Sequence, residues 1–207
     1  VRTDQDGNMT RSAIHLLNYS PAGQMAFSMF FNQLGGSLIV DGKSGLDDPR
    51  AETALSFFVD LFHDHRIASN SHDVIAGTTA MAWTGNIFER ARNVGVLEYL
   101  DVATFPYAEQ PATFMAVNWA AVPTGAKNPD GAYKLLEFLL RPENQSRLNR
   151  SEGYLPFYTE AIRWDWVADQ PLIVKLMRAS QYGVPNPPHQ RWFEMRDILV
   201  SMVEKAH

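Results

Sequence analysis

The 207-residue sequence contains no cysteine. That excludes a disulfide framework, a thiolate metal site and a cysteine nucleophile. It leaves the compartment open, because cytosolic and exported proteins can both lack the residue. No apolar run approaches the ~18–20 residues that cross a bilayer. Basic residues number 18 against 23 acidic ones and nowhere cluster, so a chain of net charge −5 is a poor partner for nucleic acid. Catalytic signatures are missing too: there is no G-x-S-x-G, H-E-x-x-H, G-x-x-x-x-G-K-[ST] or G-x-G-x-x-G. Repeats and low-complexity tracts are absent. The chain opens at Val1 in a polar stretch, VRTDQDGNMTR, with no initiator Met or signal peptide. That start reads as a cut end, and the length as that of a fragment.

Aromatic residues are plentiful: five Trp, seven Tyr and twelve Phe. The length supports a hydrophobic core without staples. Pro21 opens a predicted helix over 22–34, closed by Gly35-Gly36. Residues 37–40 read as a short strand with Asp41-Gly42 as its turn. Asp48-Pro49 caps a helix over 49–65, in which Ala51, Ala54, Leu55, Phe58, Leu61 and Phe62 recur at helical spacing. Strands are expected at 78–83, 100–105 and 114–122, the last apolar enough to be covered on both faces. A helix is expected over 87–97, and Asn128-Pro129 caps another that carries Ala132, Leu135, Leu136, Leu139 and Leu140. Pro142 begins a short helix to about Leu148. Two more cover 171–180 and 190–205, separated by a proline-rich loop at 183–188. Helices alternating with short strands argue an α/β fold rather than a bundle or a sandwich. Phe27, Phe30, Phe31, Phe57 and Phe58 read as core.

Candidate chemistry is sparse. His63, His65 and His72 with Asp64 and Asp73 suggest a metal site, but residues two apart on a helix point to different faces. They read as a solvated helix end, and Asp47-Asp48 and Asp60/Asp64 as capping and surface charge. No metal or cofactor is expected. Of the N-x-[ST] sequons at Asn8, Asn18, Asn144 and Asn149, two fall in or beside a predicted helix, so glycosylation does not explain them. The tryptophans are more informative. Trp83 sits beside a Gly-Asn turn, Trp119 follows Asn118, and Trp192 stands with Arg191 in HQRWFEMRD; Trp164 and Trp166 are two apart in a polar loop. A ring face packs on the apolar C–H face of a pyranose, while planar polar side chains take its hydroxyls.

Four segments together resemble a known family. They are FFNQLGGSLIVDGKSGLDDPRAETALSFFVDLF, TTAMAWTGNIFERA, NWAAVPTGAKNPDGAYKLLEFLLRPENQSRLNRSEGYLP and RWFEMRDIL, in that order. The chain resembles the C-terminal portion of an extracellular solute-binding protein of the sugar-uptake ABC transporter type, similar to maltose-binding protein. It departs in lacking the charged form of the "G-x-x-A-M" strand, and in lacking the family's first lobe and export or lipoprotein segment. The resemblance implies a periplasmic binding protein-like class II fold, with residues 1–106 and 153–207 as the C-terminal lobe. Residues 107–152 would return to an otherwise absent N-terminal lobe, and an edge left unpaired there would be covered by a second chain or a missing segment. It implies a binding protein rather than an enzyme, one that captures a carbohydrate or related polar solute between lobes at the outer face of the cell membrane. Its partner would be the membrane-spanning permease subunits. Ligand-binding residues would be Gln24, Trp83, Asn86, Asn118, Trp119, Arg191 and Trp192, with Trp119 and Trp192 stacking and the amides and Arg191 hydrogen bonding. Tyr154 and Arg196 are weaker candidates, Arg196 reading better as an ion-pair partner. A sensor feeding a membrane receptor would look the same in sequence. A glycoside hydrolase would need two carboxylates across a cleft, and no Asp or Glu here is placed like one.

Overall fold

A computed structural model describes residues 1–207 except Ser20, Asn86, Gly153 and Phe157. In chain order its elements are β1 (Arg2–Thr3), β2 (Met9–His15), α1 (Ala22–Gln33), β3 (Ile39–Val40), β4 (Lys43–Ser44), α2 (Pro49–His63), β5 (Ala68–Ser69) and β6 (Thr79–Ala82). There follow α3 (Phe88–Asn93), β7 (Thr113–Met115), α4 (Pro129–Leu140), α5 (Pro142–Glu152), α6 (Asp165–Ala168), α7 (Pro171–Ala179), β8 (Gly183–Pro185) and α8 (Trp192–Ala206). The chain divides into two compact units. The first comprises Val1–Gly85, Thr104–Ala116 and Tyr182–His207; the second comprises Asn86–Ala103 and Val117–Gln181.

The first unit is built on β2. β1 pairs with its beginning antiparallel, across a turn in which the Asp4 carboxylate accepts the Asp6 and Asn8 backbone N–H groups. β5 and β6 both run parallel to β2, and Ile14 faces Ala68 on one edge and Met81 on the other. β2 lies outside every expected strand, because its polar residues Thr10, Arg11 and Ser12 hide a strand whose far end is apolar. Against this sheet pack α1, α2 and α8. Phe27, Phe31 and Phe58 are fully buried, with Leu16, Met29, Leu199 and Val203 beside them. The Phe27 and Phe31 rings stack at 5.9 Å, and Phe30 meets Phe58 at 5.7 Å. Phe57 is a correction: it stays 47% exposed, its ring meeting that of Phe30 edge to face at 5.2 Å.

The punctuation works as the sequence suggests. Asp48 caps α2 by accepting the Arg50 N–H at 2.9 Å, and the Arg50 guanidinium beside it holds the exposed Asp48 carboxyl down at about 2. Asp41 and Gly42 both take positive φ, 50° and 73°, which is the two-residue turn that closes β3 onto β4. Gly36 has no room for a side chain, since a Cβ there would lie 2.0 Å from the Phe31 ring.

Two strand expectations fail. Residues 100–105 pair with nothing among the described residues, although Phe105 still packs edge-on against Phe30 at 6.1 Å. The strand expected over 114–122 shrinks to β7, which pairs in parallel with β8 and stops opposite Pro185, a residue without an N–H to extend the ladder. Beyond it the run is not covered on both faces: Val117 is 42% and Trp119 84% exposed. β8 itself falls in the segment read as a loop. The helix expected over 87–97 shortens to α3, ended by Gly95 at φ 77°, and α5 outruns its expected end at Leu148 to reach Glu152.

In the second unit Asn128 caps α4, accepting the Gly131 N–H at 2.9 Å. α4 buries none of its residues, and Tyr133, Leu135, Phe138 and Leu140 stand about half exposed. The Lys175–Asp101 ion pair and the Arg92–Gln170 hydrogen bond tie α7 and its preceding turn to residues 86–103.

Candidate functional site

Three parallel strands end together in the first unit, at His15, Ser69 and Ala82. In open parallel sheets the ligand crevice lies beyond the carboxyl ends of the strands, because the loops that leave there are free to vary while the sheet holds them in place. After β2 the chain passes through Leu16, Leu17, Asn18 and Tyr19 before α1. Leu16 is fully buried and anchors the loop; Tyr19 is 52% exposed. Asn70, just past β5, donates to Asn18 Oδ1 at 2.6 Å and so joins two of the loops.

The third loop begins with Trp83. Its backbone N–H donates to the His15 carbonyl at 3.2 Å, and its indole Nε1–H donates to Thr113 Oγ1 at 3.1 Å, fixing the ring in position. The ring is partly buried against the core cluster. Trp192 also packs on that cluster, from the first turn of α8. Beside it Arg191 pairs with Glu194 Oε2 at 2.6 Å, and the hydrogen bond holds the Glu194 carboxyl below its ordinary range. Arg196 reaches Asp197 at 2.9 Å and lies over the Phe193 ring.

Gln24 is 1% exposed; its Nε2 donates to Ser28 Oγ at 2.8 Å while Oε1 has no partner among the described residues. His15 Nδ1 and Asn186 Oδ1 are likewise buried and unpartnered. Buried polar atoms normally find a partner, so such orphans mark places where water or a ligand is accommodated. The first unit therefore holds Gln24, Trp83, Arg191 and Trp192. Asn118 and Trp119 belong to the second unit, both exposed, as is Tyr154. Asn86 lies outside the described residues. Sequence reasoning missed Asn18, Tyr19 and Asn70, which become candidates only once β2 and β5 are recognised as strands with loops at their carboxyl ends.

Among the described residues no group of three or more His, Asp or Glu side chains is arranged to hold a metal. His72 accepts the Ser12 N–H at 3.0 Å, and the His63 ring lies 5.7 Å from that of His207. No helix among the described residues is long and apolar enough to cross a membrane.

The family model for bacterial extracellular solute-binding proteins matches residues 14–175. The chain belongs to that family. No curated protein sequence matches it. Solved structures supply the fold. An ABC transporter solute-binding protein from Thermotoga lettingae, bound with α-D-tagatose, superposes with TM-score 0.78 at 22% identity, over 98% of this chain and 55% of its own. The sugar-binding protein MalE of Xanthomonas citri gives 0.77 at 17%, over 99% and 56%. The maltose/maltodextrin-binding domain MalE of Bdellovibrio bacteriovorus, bound to maltotriose, gives 0.73 at 17%, over 100% and 58%. At these identities the likeness establishes the periplasmic binding protein-like α/β fold. The solute-binding chain described here spans little more than half the length of these relatives.

Proposed function

We propose that this solute-binding chain captures a carbohydrate or related polar solute outside the cell membrane and delivers it to the permease of an ABC importer. The observation that carries the reading is the convergence of the β2, β5 and β6 carboxyl ends. There a fixed indole, Trp83, stands at one loop and a paired-amide corner, Asn18–Asn70, joins the other two. An aromatic face with planar amides is what a sugar ring and its hydroxyls require. The family and the sugars bound by its structural neighbours point the same way.

In this reading residues 1–106 and 153–207 make up the C-terminal lobe and 107–152 return to the N-terminal lobe. The loops beyond the strands form one wall of a cleft that closes by hinge bending, and the permease recognises the closed form. Trp192 stacks on the sugar. Trp83, Arg191 and Gln24, whose Oε1 has no partner among the described residues, are the other candidates of the first unit, and Asn86, Asn118 and Trp119 are carried as candidates on the family resemblance alone. The role is binding without catalysis.

A thermal-shift screen tests this, because a ligand that binds only the folded state raises its melting temperature. Mono- and oligosaccharides should shift the melt. If amino acids, peptides or polyamines shift it and sugars do not, the carbohydrate reading fails.

A further inference from the structure

The second unit contains a cavity of about 470 Å³, none of whose lining residues belongs to the three strand-end loops. α3 supplies Arg92, α5 supplies Arg150, α6 supplies Trp166, and Gln170 and Ile173 close it. That volume falls in the range of ~300–1,000 Å³ typical of small-molecule sites. Trp166 is a prepared surface: its indole Nε1–H donates to Ser146 Oγ at 2.9 Å, and its backbone carbonyl accepts from Gln170 Nε2 at 2.8 Å. Its ring lies 6.4 Å from that of Trp164, which lines a neighbouring cavity.

The charges are unequal. Arg92 is neutralised by Glu89, which also lines the cavity, and is held by Gln170 Oε1 at 2.8 Å. Arg150 has no ion-pair or hydrogen-bond partner among the described residues, and it lines both this cavity and an adjoining one of about 570 Å³. A guanidinium without a partner beside a fixed indole is a match for a planar anion carried on a ring. The guanidinium takes a carboxylate in two parallel hydrogen bonds, and the indole takes an apolar ring face.

We propose that this cavity is a second binding site, separate from the strand-end loops, for a carboxylate-bearing sugar of the hexuronate type. The sugar ring lies on Trp166 and its carboxylate on Arg150. Arg92, already paired, contributes a hydrogen-bonding edge to the hydroxyls through the Arg92–Gln170 pair.

The test is an NMR titration of the indole N–H signals with glucuronate and, in parallel, glucose. The Trp166 signal should move with glucuronate at least fivefold more tightly than with glucose. Arg150→Gln should weaken the glucuronate response at least fivefold, and Arg150→Lys by less. Arg150 is exposed, so its replacement leaves the fold intact, which the unchanged remaining signals verify. Equal response to the two sugars, or a glucuronate response indifferent to Arg150→Gln, overturns the proposal. Movement of the Trp83 and Trp192 signals reports the strand-end site instead, so the two readings fail independently.

Discussion

Trp83 is the hinge between fold and site, and its hydrogen bond to Thr113 can be weighed directly. Trp83→Phe removes the indole donor 3.1 Å from Thr113 Oγ1. A neutral hydrogen bond of this kind contributes a net ~0.5–1.5 kcal/mol. The smaller ring also gives up about 40 Å² of contact, worth ~1 kcal/mol if fully buried at ~25 cal/mol per Å². Trp83 is only partly buried, so roughly half of that applies, and the expected total is ~1–2 kcal/mol. Thr113→Val removes the acceptor and costs a similar ~0.5–1.5 kcal/mol. In the double variant the bond is lost only once, so the two effects should overlap by ~0.5–1.5 kcal/mol. Urea unfolding followed by far-ultraviolet circular dichroism gives all four stabilities without relying on tryptophan emission. A coupling below ~0.3 kcal/mol, the range of independent sites, would show that the bond does not hold the end of β6 to β7.

Other outcomes follow from the same structure. Trp192→Ala should weaken sugar binding by ~1–3 kcal/mol in calorimetry, in line with loss of a stacked aromatic face; unchanged affinity removes Trp192 from the site. Phe58→Ala empties a fully buried position between Phe30, Phe62 and His207 and should cost ~3–5 kcal/mol, read as a lowered denaturation midpoint. His207 is held below its ordinary value of 6.5 by burial and by the nearby His63. The unfolded chain therefore takes up its proton first, and stability present above pH 6.5 falls as the pH drops through that value. Thermal melts from pH 7.5 to 5 should show a shallower loss in His207→Gln than in the parent; an identical slope refutes the burial.

Helices were the most legible part of the sequence, since capping residues and apolar spacing are local signals. Asp48-Pro49 and Asn128-Pro129 open α2 and α4 where expected, and Pro21 precedes α1. The Asp41-Gly42 turn was equally plain. Strands were harder because a strand is decided by its partners. β2 is half polar yet central, while the largely apolar run 116–121 is exposed, the ladder of β7 having stopped at Met115. Missing β2 and β5 hid the loops that follow them, and with them Asn18 and Tyr19 after β2 and Asn70 after β5. The aromatic candidates Trp83 and Trp192 stood out in the sequence through their polar neighbours, a Gly-Asn turn and Arg191, and through the family resemblance. Gln24 was visible as well, but its burial follows from the packing of α1, which local sequence does not report.

The central claim is that a sugar sits on the loops beyond β2, β5 and β6. Affinities near ~1 mM correspond to only ~4 kcal/mol, so the readout must tolerate fast exchange. The most direct measurement is a maltotriose titration followed by the five indole N–H signals, each assigned by a Trp→Phe variant. The signals of Trp83 and Trp192 should move together along one binding curve. Movement of Trp164 and Trp166 alone, or of none of the five at saturating sugar, would contradict the account.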